Sequence, residues 1–413
     1  MADSGRLLTY DGDPLRDLDP QKEFAELRLL SMGAFGDTVA DFEDGLIQVF
    51  GGIVGEVVKA RIYRYKRRGK NKINAMVSEV IEASPHRVEN PCPYFGPCSG
   101  CQWQHVSHEY QLELKRDMVR YFFAEYASLS NVHVSKTNPA PESFNYRNHA
   151  RFTVRFGGQL GFSNRITRRF VRVDDCMLMD PKINGFLSQL QDNASETTNL
   201  SIRVGTNTGD YLIQPELSGP DIDFKTGQKW YKENMLNREF RVASPSFFQV
   251  NTKQAEFMIN LVGDKLGLNG NEILVDAYAG VGVFASLLSN RVRKVIAVEE
   301  SQAAVKDALF GLNDLDNVHY IQGKTEEILE ELKEEIDVII LDPPRTGCHP
   351  QAIVSVMSAK PNKIAYVSCD PPSLARDLNM LVQGGYQIDS VDPIDMFPQT
   401  YHTECVVILS PNN

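Results

Sequence analysis

A cysteine and a glutamate in the last fifty residues have the types and surroundings needed for nucleophilic chemistry. Cys369 follows an apolar run at 364–367, and Glu404 precedes another at 405–409. A thiol at the carboxyl edge of a parallel sheet faces the ligand crevice, and its thiolate is a strong nucleophile once a neighbour lowers the pKa. A carboxylate on the same edge is suited to act as a general base.

This pair of residues suits methylation at C5 of a pyrimidine. Uracil C5 is too weakly nucleophilic to attack a methyl group, so a thiolate must first add to C6 and make C5 enolate-like. A base must then remove the C5 proton so that the enzyme can be released. A lone cysteine is more often buried and inert. The interpretation therefore depends on Cys369 and Glu404 together.

A turn that contains two glycines predicts a cofactor site in the same region. Gly280 and Gly282 follow the apolar run at 273–275, and Glu299 ends the next run, where an acid can accept hydrogen bonds from ribose hydroxyls. The full G-x-G-x-x-G of dinucleotide-binding folds is absent. A later run ends in Asp342-Pro343-Pro344-Arg345, a rigid lip of the kind with which class I methyltransferases hold S-adenosylmethionine against its target.

Four of the seven cysteines form a second candidate site. Cys92, Cys98 and Cys101 lie close together, and Cys176 follows 75 positions after Cys101. Four thiolates suffice for a [4Fe-4S] cluster or an all-cysteine zinc site, and the spacing does not choose between them. We expect a structural role, because methyl transfer needs no electron. Cys348 and Cys405 are interpreted as packing residues.

The 413 residues predict two to three domains that position these groups. Residues 1–22 have the composition of an acidic flexible tail. Five short β-rich runs suit a small barrel of the OB type, at 25–32, 36–42, 46–50, 56–65 and 73–81. A helix is predicted at 107–126, with apolar residues near helical spacing at Tyr110, Leu114, Met118, Tyr121 and Phe122. Further strands and turns follow to about residue 240, and apolar strands then alternate with helices, which indicates a doubly wound parallel α/β sheet.

The net charge of −11 hides two strongly basic stretches. Residues 57–72 contain eight basic side chains and no acid, and residues 145–173 contain seven arginines and no acid. Tyr63 and Tyr65 interleave the first stretch, a pattern typical of RNA-binding β-barrels, although a solvated charged loop is the alternative. The second stretch is a candidate phosphate track.

Several protein classes are excluded. No apolar run approaches the 18 to 20 residues of a membrane span, and the N-terminus lacks the layout of a secretory signal. An odd cysteine count without a signal disfavours a disulfide framework. The sequence thus predicts a soluble cytoplasmic protein. It implies no protein partner, and we expect a monomer.

Four motifs together resemble the RNA 5-methyluridine (uracil-C5) methyltransferase family over roughly residues 23 to 410. They are Ser368-Cys369-Asp370-Pro371, His402-Thr403-Glu404, Leu341-Asp342-Pro343-Pro344-Arg345 and Ser246-Phe247-Phe248-Gln249-Val250-Asn251. The barrel at 23–84 resembles a TRAM domain. The segment at 91–105 resembles the cluster-binding segment of the family's iron–sulfur members, which favours [4Fe-4S] over zinc.

The resemblance implies an α/β class I (Rossmann-like) methyltransferase domain at 241–413, an OB-like TRAM β-barrel at 23–84 and a β-rich iron–sulfur central domain at 85–240. Cys369 would be the nucleophile and Glu404 the base, and Asp342, Arg345 and Phe247 would orient the substrate. The expected contacts to S-adenosylmethionine are Gln249, Tyr278, Gly280, Gly282, Glu299 and Asp342. The expected cluster ligands are Cys92, Cys98, Cys101 and Cys176. The expected RNA contacts are Arg61, Arg64, Lys66, Arg67, Arg68, Arg165, Arg168 and Arg169.

The implied activity is S-adenosylmethionine-dependent methylation of a flipped uridine in structured RNA. Ribosomal 23S RNA is favoured, and the T-loop of tRNA comes next. Two positions depart from the family pattern for adenosine contacts, Val283 after the second glycine and Gly323-Lys324 after the third strand of the α/β sheet. Methylation of an exocyclic nitrogen is one alternative, but it needs no nucleophilic cysteine. A cluster-bearing RNA-binding or folding module with a vestigial methyltransferase domain is the other.

Overall fold

The computed structural model describes residues 23–33, 35–67, 70–219, 222–312 and 314–412. The predicted tail at 1–22 lies outside the described residues. Within the described part, the strands form four sheets that follow one another along the chain. No helix of this part is long and apolar enough to cross a membrane.

The first sheet closes on itself. Its strands are β1 Phe24–Arg28, β2 Ser31–Met32, β3 Thr38–Phe42, β4 Gly45–Phe50, β5 Val57–Arg67 and β6 Lys70–Glu82, in the order β1-β5-β6-β4-β3-β2. The segment that holds β1 and β2 pairs with β5 at one end and with β3 at the other, so both edges meet there. β4 and β6 are parallel, and the other neighbours are antiparallel. Each of the five predicted runs contains strand residues.

The middle of the chain begins with a helix and continues as antiparallel sheet. The helices are α1 His108–Phe123 and α2 Pro181–Leu190, and the strands are β7 His149–Arg155, β8 Gln159–Ser163, β9 Phe170–Arg172, β10 Asn199–Val204 and β11 Tyr211–Gln214. The sheet order is β11-β10-β7-β8-β9, and a separate hairpin consists of β12 Trp230–Met235 and β13 Arg238–Ala243. Ile183, Phe186 and Leu187 of α2 pack on this sheet and share its apolar core.

The last part of the chain is a seven-stranded α/β sheet. Its strands are β14 Ile273–Ala277, β15 Lys294–Glu299, β16 Val318–Gln322, β17 Val338–Leu341, β18 Lys363–Ser368, β19 Tyr386–Ile394 and β20 Glu404–Pro411. The helices are α3 Thr252–Leu266, α4 Val283–Leu287, α5 Gln302–Gly311, α6 Thr325–Glu331, α7 Pro350–Ala359 and α8 Pro371–Gln383. The order is β16-β15-β14-β17-β18-β20-β19, with β20 antiparallel to both of its neighbours. β14 to β18 pair in parallel and alternate with helices, so the predicted parallel α/β arrangement is confirmed for these five strands.

Side chains alternate between the two faces of this sheet, each of which carries its own apolar core. Leu274, Val295 and Ile340 belong to one core, and their neighbours Val275 and Ile339 belong to the other. Burial on both faces explains why these strands are continuous apolar runs. The order reverses between β14 and β17, which creates a crevice at the carboxyl ends of the strands.

Helix α1 is confirmed, and its predicted apolar residues Tyr110, Leu114 and Met118 are partly buried against a small apolar cluster, while its most buried face lies one residue further along. Its fully buried face contains Gln111, Lys115, Val119 and Phe123, at intervals of four residues. Tyr121 of the predicted face is 66% exposed. Gln111 and Lys115 are buried because they hydrogen-bond to the loop that follows β19.

Candidate active site

The predicted nucleophile and base lie opposite each other at the carboxyl edge of the α/β sheet. The ladder between β18 and β20 ends with the pair Ser368 and Cys405, so Cys369 and Glu404 are the next residues at that end, and they lie close enough for the Glu404 charge to raise the pKa of the Cys369 thiol. Residues directly opposite in antiparallel strands have Cα atoms about 4.5 to 5.5 Å apart. Both side chains therefore point to the same face of the sheet.

Two aspartates share this face and this edge. The alternation along β14 and β17 directs Asp276 and Asp342 to the same side as Cys369. Burial raises the pKa of Asp342 to about 7. The crevice thus contains two acidic groups, of which Asp276 is fully buried and Asp342 is half-buried.

The Cys369 thiol is half-buried and resists ionisation in the resting protein. Burial raises its pKa to about 12, and the nearby carboxylates of Glu404 and Asp342 act in the same direction. The Arg345 guanidinium opposes them and lowers the pKa. Arg345 is therefore the cation that favours the thiolate.

Glu404 is 3% exposed, and burial holds its pKa well above the usual range. The charge of Asp342 raises this pKa further, whereas Arg345 lowers it. A carboxylate kept out of water is a stronger base once it has lost its proton. The environment therefore suits proton removal from carbon.

Arg345 is held beside the loop that leads to Glu404. Its Nη2 atom lies 3.4 Å from His402 Nδ1. Burial and the surrounding cations lower the pKa of His402 to about 3, so the imidazole is neutral and its Nδ1 can accept from the guanidinium. Ser373 Oγ donates to the Arg345 carbonyl at 3.1 Å.

The glycine turn after β14 leaves space for a ligand. Gly280 and Gly282 have φ angles of +57° and +82°. A Cβ on Gly280 would meet no described atom within 4 Å, whereas one on Gly282 would lie 3.3 Å from Leu312 Cδ1. Gly280 N donates to Glu299 Oε2 at 2.9 Å. The predicted acid is thus directly at the turn.

Asp276 is a candidate site residue that the sequence reasoning did not assign. It is fully buried on β14, and its Oδ2 atom accepts from the Ala285 backbone at 2.8 Å. Its Oδ1 atom has no hydrogen-bond partner among the described residues. Burial raises its pKa to about 8, and Asp342 and Glu299 contribute. The sequence did contain a signal for this residue, because a charged side chain within an otherwise apolar strand is unusual.

Two other predicted cofactor residues lie in defined settings. The hydroxyl of Tyr278 interacts with Cys348 and Thr325, while its backbone belongs to the glycine turn. Gln249 is half-buried, and its carbonyl accepts from Asn148 Nδ2 at 3.1 Å. The nearby Phe247 is 69% exposed.

The loop between β19 and β20 is anchored from several directions. Gln399 Oε1 accepts from Gln111 Nε2 on α1, and its carbonyl accepts from the backbone of Gln102 and Trp103. Asn251 Nδ2 donates to the Met396 carbonyl at 3.2 Å. The position of Glu404 therefore depends on α1 and on the segment next to Cys101.

The four predicted metal ligands are near one another but form no site for a single ion. Burial raises the pKa of each thiol, and that of Cys101 is raised further by the charges of Cys98, Cys176 and Cys92. Gln104 Nε2 donates to Cys101 Sγ at 3.1 Å. Among the described residues, no three His, Cys, Asp or Glu side chains are grouped to hold a metal ion. The predicted metal site is thus not supported as it stands.

The basic stretch of the barrel is partly engaged by acids. Arg64 donates to Glu23 at 3.0 Å and to Glu43 at 2.5 Å, which differs from the open phosphate contact that the sequence predicts. The Arg61 guanidinium lies 5.2 Å from the centroid of the Tyr63 ring. The side chains of Lys66 and Arg67, and the whole of Arg68, lie outside the described residues.

The predicted RNA contacts of the middle part of the chain also differ in how far the protein itself engages them. Arg165 lies over the Phe50 ring, 5.2 Å from its centroid, and its Nη2 atom is 3.4 Å from the Cys101 carbonyl. Arg168 is exposed and Arg169 is half-buried. Arg165 therefore links the barrel to the cysteine segment.

Comparisons with known proteins place the chain among RNA methyltransferases. The sequence model of the tRNA (uracil-5-)-methyltransferase family matches residues 231–412. An uncharacterized RNA methyltransferase of Synechocystis sp. is 30% identical over 95% of this chain and 97% of its own length. One of Thermosynechococcus vestitus is 31% identical over 93% of this chain and 97% of its own length.

A solved structure shares the fold. The Pyrococcus abyssi tRNA (uracil-54, C5)-methyltransferase in complex with S-adenosyl-L-homocysteine superposes with a TM-score of 0.71. It is 24% identical, and the match covers 94% of this chain and 100% of that one. The α/β sheet is thus a methyltransferase fold.

Proposed function

The chain belongs to the RNA (uracil-5-)-methyltransferase family, and on that premise we propose that it methylates C5 of one uridine in structured RNA through a Cys369 adduct. The observation that carries the proposal is the opposition of Cys369 and Glu404 one step beyond the β18–β20 ladder. A nucleophile and a base on one face of one sheet edge can act on adjacent atoms of the same ring.

Cys369 begins the reaction. Its thiol first loses the proton to solvent, the thiolate sulfur bonds to uracil C6, and the electron pair of the C5=C6 bond moves toward C5 and the ring carbonyl. Arg345 favours the thiolate that this step needs, because its charge lowers the pKa of Cys369. A buried site strengthens this effect by excluding water.

Glu404 completes the reaction. After C5 takes the methyl group, Glu404 removes the C5 proton, the C6–S bond breaks, and the C5=C6 bond and the thiolate are restored. The position of Asp342 at the adjacent strand end suits it to orient the uracil or the donor. Phe247, which is 69% exposed, is suited to contact the extruded base.

The residues around the glycine turn fit S-adenosylmethionine, which supplies an electrophilic methyl group when bound. The free space at Gly280 permits close approach, and the orphaned Oδ1 atom of Asp276 can accept a hydrogen bond from a ligand. Glu299 would hold ribose hydroxyls, and Gln249, Tyr278 and Gly282 would complete the site.

We further propose that Cys92, Cys98, Cys101 and Cys176 hold a [4Fe-4S] cluster. The mutual charge effects of these thiols support a shared site. A cluster is larger than one ion, so its ligands need not converge as closely as those of zinc. Violet-range absorption of anaerobically purified protein should be lost in Cys101→Ser and retained in Cys348→Ser. Colourless protein with stoichiometric zinc would contradict the cluster.

We propose three functional units, with residues 23–84 as a TRAM barrel, 85–240 as the cluster domain and 241–413 as the methyltransferase domain. The closed strand order of the first sheet supports an OB-type barrel, which binds nucleic acid in other proteins. Large-subunit ribosomal RNA is the proposed target, and the T-loop of tRNA is the second candidate. Loss of 5-methyluridine from one of these RNAs in cells without the gene identifies the target.

Two variants test the mechanism. Cys369→Ala should abolish both methyl transfer and covalent RNA adducts, whereas Cys348→Ala should retain both. Glu404→Gln should accumulate an adduct that migrates with the protein under denaturing conditions, because the C5 proton stays in place. Methyl transfer by Cys369→Ala, or no adduct with Glu404→Gln, would overturn these roles.

A further inference from the structure

The closed N-terminal sheet places an exposed aromatic ring beside the loop that carries the proposed base. Phe35 lies between β2 and β3 and is 58% exposed. Its ring centroid is 6.3 Å from that of Tyr401, at an interplanar angle of 81°. Tyr401 precedes Glu404 by three residues.

The loop that bears Phe35 is fixed in this position. The Phe35 backbone donates to Asp37 Oδ1 at 3.0 Å, and the buried Trp103 indole donates to the Gly36 carbonyl at 2.8 Å. Gly36 has a φ of +71°, and a Cβ there would lie 2.6 Å from Tyr401 Cβ. The close contact of this loop with Tyr401 therefore requires glycine.

Contacts continue from Phe35 to the reacting groups. The Tyr401 ring lies 4.3 Å from the His402 ring, and His402 Nδ1 lies 3.4 Å from Arg345. Arg147 and Arg165 lie close enough to His402 for their charges to help lower its pKa. Exposed aromatic rings beside arginines are the combination with which proteins bind unpaired nucleotides.

We propose that the exposed Phe35 ring stacks on the nucleobase next to the target uridine, and that Tyr401, whose ring meets the Phe35 ring edge to face, supports it from the loop that carries Glu404. The proposal rests on the proposed function, since extrusion of the uridine breaks its stacking with its neighbours. The N-terminal sheet then contributes directly to the active site, and it holds the RNA strand where the uridine leaves the stack.

The test measures methylation of an RNA oligonucleotide by the full-length protein. Phe35→Ala should lower kcat/KM for RNA by about 5- to 150-fold, the usual effect of losing one base stack. Phe35→Trp should restore it, and S-adenosylmethionine binding by calorimetry should stay unchanged. Tyr121→Ala removes a comparably exposed ring on α1 and should have no effect.

RNA with an abasic site beside the target uridine identifies the stacked base. If Phe35 stacks there, abasic RNA should lower kcat/KM for the wild type but produce little further loss in Phe35→Ala. A wild-type rate for Phe35→Ala would overturn the proposal. So would a full additional loss of kcat/KM in Phe35→Ala when the abasic site is placed on either side of the target uridine. Wild-type protein that forms no 5-methyluridine would instead refute the proposed function.

Discussion

Lys115 and Asp395 form a fully buried ion pair that joins α1 to the loop before β20. Lys115 Nζ lies 2.5 Å from Asp395 Oδ1, and both side chains are 0% exposed. The same ammonium donates to the carbonyls of Phe397 and His402 at 3.0 and 2.9 Å. His402 lies two residues before Glu404, so this one side chain constrains the approach to the proposed base.

Lys115→Met should destabilise the protein by about 3–5 kcal/mol, because it removes the buried ammonium and leaves the Asp395 carboxylate with only the His108 imidazole, whose Nε2 lies 2.9 Å from Asp395 Oδ2. Urea denaturation measures the change, and Lys136→Met, at an exposed position, is the control. Adding Asp395→Asn should recover part of the loss. A change below about 1 kcal/mol for Lys115→Met would show that the pair is not structural.

Arg345→Met should move ionisation of Cys369 to higher pH, since the arginine charge lowers that thiol's pKa. At a fixed alkaline pH, the variant should be alkylated by iodoacetamide more slowly than wild type, because only the thiolate reacts. Peptide mapping isolates Cys369 from the other cysteines, and Cys369→Ala gives the background. An alkylation rate equal to that of the wild type would contradict the role of Arg345.

Asp276→Asn should stabilise the protein increasingly as the pH rises. The pKa of Asp276 is about 8 in the folded state, above the unfolded value of about 3.9. Between these two pH values the folded state binds more protons than the unfolded state, so the wild type loses stability as the pH rises through this range. The amide cannot ionise and should remove this loss. Thermal unfolding at several pH values measures the difference, and a constant offset would contradict the assignment.

Arg168→Gln and Arg64→Gln should differ in their effects on RNA binding. Arg168 is exposed, and its loss should reduce the slope of log K against log salt by about 0.7 to 0.9 if it contacts one phosphate. Arg64 is already paired with Glu23 and Glu43, so its loss should change the slope less. Binding titrations at several salt concentrations test this order, and a larger effect for Arg64 would reverse it.

The polar groups buried between elements were not predicted from the sequence. Gln111 and Lys115 lie on the buried face of α1 because they hydrogen-bond to Gln399 and Asp395, which follow them by 288 and 280 residues in the chain. Arg64 resembles the other basic residues of its stretch, yet its carboxylate partners lie on neighbouring segments. Such pairings depend on which strands become neighbours, and residue spacing does not encode that.

The sequence by itself determined the alternating strands and helices of the α/β sheet and the location of Cys369, Asp342 and Glu404 at strand ends. These follow from local periodicity, because side chains repeat every two residues in a strand and parallel strands end at one edge. Only the tertiary structure decided that Cys369 and Glu404 share one face, that Asp276 has an orphaned oxygen and that Phe35 reaches Tyr401. Register, burial and charge act through space, so they arise only when distant segments pack together.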